Sequence, residues 1–174
     1  MGWIAAPRLL GIGAVLALVL LVLDQIVKRA VLDHFLALPA GSSVEVTPFF
    51  DLVLVWNRGI SYGLFQAGSA AQVWLLVGIK IAITLALIVW LIRNADKLTA
   101  IALGILIGGA IGNTIDRVLY GAVVDFVSLH AAGFYWYVFN LADVWVVAGV
   151  ALLLYDAFFV DRAKRVGPET SDPT

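Results

Sequence analysis

Apolar residues run without charge from Leu9 to Leu23, and the pattern then breaks into DQIVKRAVL, where acidic and basic residues return. A bilayer-crossing helix needs roughly 20 mostly apolar residues, so a first span is predicted over about 9–32, with a polar end. Similar runs predict spans over about 71–92, 98–116 and 139–160. Lys80 interrupts the second near its middle, and only RNADK separates the second from the third. The loop between the first two spans has a different grammar. VEVTPFFDLVLVWN places Val, Phe and Trp at near-alternating positions, NRG offers a turn, and ISYGLF reads as a returning strand. The predicted fold is therefore a mainly α membrane domain over 1–161: four transmembrane helices, and a small extracytoplasmic β-sheet from about 44–65. The segment 162–174 is polar and is expected to be a disordered cytoplasmic tail.

Composition sharpens this. The 174 residues are 63% hydrophobic and only 13% charged, against about a quarter charged in a soluble domain. A formal charge of −1 excludes nucleic-acid binding through a basic face. The absence of cysteine excludes disulfides, thiolate catalysis and cysteine metal sites, and His34 and His130 are too few and too distant for a metal centre. Nothing calls for a cofactor. Arg8 and the apolar run after it look like a signal peptide, but Asp24, Lys28 and Arg29 precede any small-residue cleavage site, so an uncleaved helix is expected. With both termini inside, the inner side carries Arg8, Arg93, Lys97, Arg162, Lys164 and Arg165, and the outer side Lys28, Arg29, Arg58 and Arg117. The positive-inside rule therefore places residues 33–70 and 117–138 outside. Trp56, Tyr62, Tyr135, Trp136 and Tyr137 suit the aromatic belt there.

Any chemistry must come from carboxylates and their polar neighbours. Asp33, Glu45 and Asp51 read as solvated loop residues, and Asp96, Asp156, Asp161, Glu169 and Asp172 lie toward the inner side. Asp24, Asp116, Asp125 and Asp143 remain at the outer boundary. Asp24 has Lys28 at i+4, on the same helical face, and Asp116 is followed by Arg117, so both are expected in structural ion pairs. Asp125, placed in the turn after span three, and Asp143, near the top of span four, have no cation within four residues. Two such carboxyls brought together can share a proton and hydrolyse a peptide bond as aspartic proteases do. Asn140, three residues before Asp143, would support it. The alternative is a loop residue and a helix-end charge in headgroup water. Gly104, Gly108 and Gly112 form an i, i+4, i+8 stripe where another helix can approach. Asn113 would bond across that seam, and Arg117 would reach headgroup level.

Five blocks, DQIVK (24–28), NRGISYG (57–63), GGAIGNTIDR (108–117), VVDF (123–126) and FNLAD (139–143), together resemble the lipoprotein signal peptidases, the type II signal peptidases of bacteria. The resemblance implies an aspartyl intramembrane protease. Such an enzyme cuts diacylglyceryl-modified prolipoproteins before the lipidated cysteine and is inhibited by globomycin. It implies catalytic roles for Asp125 and Asp143, and substrate-binding or site-supporting roles for Asp24, Lys28, Asn57, Gly59, Asn113, Arg117 and Asn140. It further implies a multi-pass protein of the bacterial inner membrane, in contact with membrane lipids, monomeric, with its site toward the outer face. Ile60, Ser61 and Tyr62 depart from the small or aromatic residues more usual in the family. Lys80 matches none of the motifs and is expected to snorkel or to pair with a neighbouring helix. A non-enzymatic small transporter or lipid-binding protein, with the aspartates as proton or cation sites, is the competing class, but the two halves show no inverted repeat of the kind transporters carry.

Overall fold

The computed structural model describes residues 6–59, 69–94 and 96–160. Four helices long and apolar enough to cross a membrane form a bundle. They are α1 (Pro7–Phe35), α2 (Ala70–Asn94), α3 (Lys97–Tyr120) and α4 (Leu141–Tyr155), the last continued by a π-helical turn over Asp156–Val160. The ends follow local chemistry. Pro7 sits in the first turn of α1, where its missing N–H costs nothing. The Asp96 carboxylate caps α3 by accepting from Thr99 N at 2.9 Å. Gly121 ends α3 in the left-handed conformation at φ 69°.

α3 is the central helix. It packs along α1, α2 and α4, whereas α1 and α2 barely touch. The glycine stripe explains how close the helices come. A Cβ on Gly104 would stand 2.5 Å from the Gly13 carbonyl oxygen, and one on Gly108 would stand 2.8 Å from that of Ala17, so the stripe is the α1–α3 seam. Leu91, Ala100, Leu103 and Ile107 close the core between α2 and α3. Val15, Leu18, Trp74, Ile83, Val147 and Leu154 face outward from the other three helices. In water that surface would be an aggregation liability, and in lipid it is the solvated face.

The sheet is larger than the sequence pattern predicts. Strands β1 (Ser43–Thr47) and β2 (Phe50–Asn57) fall in the expected loop. Two more, β3 (Val123–Ala131) and β4 (Phe134–Tyr135), come from the segment before α4, giving an antiparallel sheet in the order β1-β2-β3-β4. Ala132 and Gly133, both at positive φ, make the two-residue turn between β3 and β4. Asp125 therefore stands on a strand and not in a turn. The expected returning strand ISYGLF, with Ile60, Ser61 and Tyr62, lies outside the described residues, as does the polar tail.

Candidate active site

At the sheet end of the bundle, polar side chains from α1, α3, α4, β2 and β3 meet. α1 contributes the innermost ion pairs. Lys28 Nζ is 2.9 Å from Asp24 Oδ2 and 2.8 Å from Asp116 Oδ2, and it donates to Asn113 Oδ1 at 2.9 Å. All three of its protons are thus occupied. Asp116 pairs with Lys28 and not with Arg117 as the sequence suggested. Adjacent residues point about 100° apart on a helix, so they do not face each other. Asp24 also accepts from Ala142 N at 2.9 Å, tying α1 to the first turn of α4. Asp116 accepts from Val124 N at 3.2 Å, tying α3 to β3.

Gln25, to which the sequence assigned no role, donates to Asp24 Oδ2, Asp116 Oδ1 and the Gly112 carbonyl at 3.1–3.3 Å. Only its place inside DQIVK could have flagged it. Arg117 is buried and does not reach outward; it donates to the carbonyls of Gly59 at 2.8 Å and Asn113 at 3.3 Å.

The amides connect this base to the two remaining acids. Asn113 Nδ2 donates to Asp143 Oδ1 at 2.8 Å. Asn140, fully buried as the cap of α4, forms a reciprocal capping box with Asp143. Asn140 Oδ1 accepts from Asp143 N at 3.0 Å, and Asn140 N donates to Asp143 Oδ2 at 3.3 Å. Its Nδ2 donates to Asp125 Oδ1 at 2.6 Å and to Asn113 Oδ1 at 3.0 Å. One residue therefore touches both carboxyl groups.

On the sheet, Val55 opposes Asp125 and Asn57 opposes Val123, so Asn57 and Asp125 share a face as diagonal neighbours. Asn57 Nδ2 donates to Asp125 Oδ2 at 2.9 Å, and its Oδ1 accepts from Gly59 N at 3.0 Å. Every residue singled out from the sequence, Asp24, Lys28, Asn57, Gly59, Asn113, Arg117, Asp125, Asn140 and Asp143, thus belongs to one connected network.

The acids differ in exposure. Asp125 is 1% exposed, and burial together with the nearby Asp143 charge pushes its carboxyl up to about 6, against the two amide hydrogen bonds that favour its ionised form. Asp143 is partly exposed and lines a cavity of about 720 Å³. Phe49, Phe134, Trp136, Tyr137, Val144 and Val147 make that cavity almost wholly apolar. His130 forms part of its wall, stacked on Tyr135 with ring centroids 4.9 Å apart. Its Nε2 lies 3.1 Å from Asp51 Oδ2 without hydrogen-bond alignment. Asp51 is therefore not the free loop charge expected of it. Lys80, half-buried on α2, has no ion pair with any described residue, so the expected partner on a neighbouring helix is not found among them.

Residues 16–159 match the family described as signal peptidase (SPase) II. A lipoprotein signal peptidase of Methylobacterium sp. (strain 4-46) is 51% identical over 151 residues, covering 86% of this chain and 89% of that protein. The lipoprotein signal peptidase of Nitrobacter hamburgensis is 53% identical over 157 residues, covering 88% of this chain and 95% of its own. Among solved structures, a bacterial membrane enzyme determined by the in meso method at 2.3 Å resolution is similar with a TM-score of 0.79 and 28% identity, over 98% of this chain and 99% of that one.

Proposed function

The chain belongs to the signal peptidase II family, and from that premise we propose that Asp125 and Asp143 are the pair with which it removes signal peptides from prolipoproteins. The observation that carries the assignment is the Asn140 bridge. Its side chain donates to Asp125 while its backbone and amide oxygen hold Asp143, so the two carboxyls cannot be positioned independently. Asp125, the buried partner, is biased to hold the shared proton. Asp143 faces the cavity, where a water and the scissile peptide can reach it.

In the resulting cycle the water oxygen attacks the carbonyl carbon, its proton passes to Asp143, and the Asp125 proton passes to the carbonyl oxygen. Collapse of the diol breaks the C–N bond. The proton on Asp143 goes to the leaving amine, and a diol hydroxyl returns a proton to Asp125. The residue supplying that amine is the lipidated cysteine of the precursor. The apolar cavity beside Asp143 suits the hydrophobic part of such a substrate, arriving sideways past Val144 and Val147. Asp24, Lys28 and Asp116 brace α1, α3 and β3 beneath the pair. Arg117 and Asn57 hold the chain at Gly59 over it. The balance of Lys and Arg supports a sheet end, and a site, on the outer side of the inner membrane, with both termini inside.

The test is cleavage of a diacylglyceryl-modified precursor by purified protein in lipid. Asp125→Asn and Asp143→Asn are each expected to yield no product while keeping a cooperative thermal transition. Near wild-type turnover in either variant would overturn the assignment.

A further inference from the structure

The cavity beside Asp143 has two facing walls. Val144, Val147 and Ala148 of α4 make one, and the outer end of the sheet makes the other. The sheet wall depends on two turns. The β1–β2 turn carries Phe49, the β3–β4 hairpin carries Phe134 and Trp136, and all three rings are half or more exposed. Neither turn is well held by itself. β4 has two residues and pairs with β3 at two positions, and Ala132 in the connecting turn takes a positive φ of 50° without being glycine. A hairpin that short has little stability of its own. On the other side, the β1–β2 register slips beside its turn, between Glu45 and Thr47.

His130 is where the two turns are fastened together. Its backbone N–H donates to the Phe49 carbonyl at 3.0 Å, which seats the first turn on β3. Its ring stacks on Tyr135 of β4 with centroids 4.9 Å apart, and its Nε2 lies 3.1 Å from Asp51 Oδ2 of β2. The His130 and Asp51 side chains are each 19% exposed, so solvent only partly screens that contact. One residue thus ties β2, β3 and β4 together at the level where the aromatic rings face α4.

The size of the cavity says what those rings meet. The space between the walls is about 720 Å³, whereas a signal helix about 10 Å across and about 30 Å long fills roughly 2,400 Å³. Flexible acyl chains fit where a helix does not. In a bilayer such chains are already in an apolar solvent, so they gain from packing contacts and not from leaving water. Packing contacts of that kind need rings that are held still.

We propose that His130 is a positioning residue for substrate binding, which through Asp51 and Tyr135 holds the aromatic sheet wall against the acyl chains of the precursor. The inference rests on the reading that the cavity beside Asp143 receives the hydrophobic part of the substrate. It places His130 outside the chemistry, so losing it weakens binding and spares turnover.

The experiment measures kcat and KM in one lipid for two substrates, a diacylglyceryl-modified precursor and the same precursor with both acyl chains cut to acetyl groups. His130→Ala is expected to raise KM for the full precursor about fivefold, because two cross-strand contacts are lost, with kcat within about twofold of wild type. His130→Phe keeps the stack on Tyr135 and loses only the Asp51 contact, so KM should rise about twofold. Asp51→Ala should match it. Combining His130→Phe with Asp51→Ala should raise KM no further, because both changes break the same contact. For the acetyl precursor, KM in every variant should equal that of wild type.

A fall in kcat with unchanged KM is what loss of folded protein produces, and it would overturn the proposal. An equal rise in KM for both precursors, or full additivity of His130→Phe and Asp51→Ala, would overturn it as well. The phenylalanine and Asp51 variants carry the same comparison if His130→Ala does not accumulate in membranes. Activity in Asp125→Asn would instead refute the catalytic pair, whereas an unmoved KM in every His130 and Asp51 variant would refute only the role of His130.

Discussion

Replacing Asp125 with asparagine is expected to make the folded protein more stable at about pH 8 and slightly less stable at about pH 4, while removing activity at both. Burial and Asp143 lift the Asp125 carboxyl from 3.8 to about 6. A carboxyl whose folded value is raised favours folding when protonated. That contribution is complete below 3.8 and is lost as pH rises through about 6. At about 1.36 kcal/mol for each tenfold, holding the group ionised in the fold costs about 3 kcal/mol at pH 8.

Asparagine is nearly isosteric and carries no charge, so the cost disappears. It also has one acceptor oxygen where the carboxylate has two. Asn140 at 2.6 Å and Asn57 at 2.9 Å both donate to Asp125, and one of them must lose its acceptor. Asn57 yields, because Asn140 is also held by Asn113 and Asp143. That loss is worth about 1 kcal/mol. The balance is a gain of about 2 kcal/mol at pH 8 and a loss of about 1 kcal/mol at pH 4. Thermal unfolding in one detergent at several pH values measures it. A difference between variant and wild type that keeps the same sign and size across that range would refute the electrostatic account of Asp125.

Lys28→Met strips the counter-charge from Asp24 and Asp116, 0% and 1% exposed, and should cost about 3–5 kcal/mol; the yield of folded protein in membranes should fall, with partial recovery on adding Asp116→Asn. Gly104→Ala drives a methyl to 2.5 Å from the Gly13 carbonyl oxygen and should lower thermal stability by about 1–3 kcal/mol. Gly11→Ala, with nothing within 4 Å, should leave stability unchanged or raised. Asn140→Ala removes the bridge between the two acids, so kcat should fall roughly 10²-fold with far less change in KM; an equal rise in KM would show that Asn140 binds substrate instead.

The four helices were legible because lipid imposes one rule along each of them. The sheet was only half legible. β1 and β2 lie in one loop with near-alternating apolar residues, whereas β3 begins VVDF, buried on both faces, and a short run of that kind carries no period. Its partner β2 lies some 70 residues earlier, a pairing that no local pattern announces. Asking which acids lacked a neighbouring cation singled out Asp125 and Asp143, and the fold brings both carboxyl groups against Asn140. The same question misassigned Asp116, because adjacency in sequence is not adjacency on a helix and its true partner comes from α1. Gln25 and the cap geometry of Asn140 needed coordinates, since both act through backbone groups or through elements distant in the chain.

The Asp24–Lys28 pair has a consequence for biogenesis. The final partners of Lys28 other than Asp24 belong to α3, which leaves the ribosome some 85 residues later. Until then α1 must reside in lipid with what it carries. An acid and a base one turn apart cancel within the helix itself, so α1 can be inserted as an electrically silent segment and exchange this provisional self-pairing for the shared one when α3 arrives.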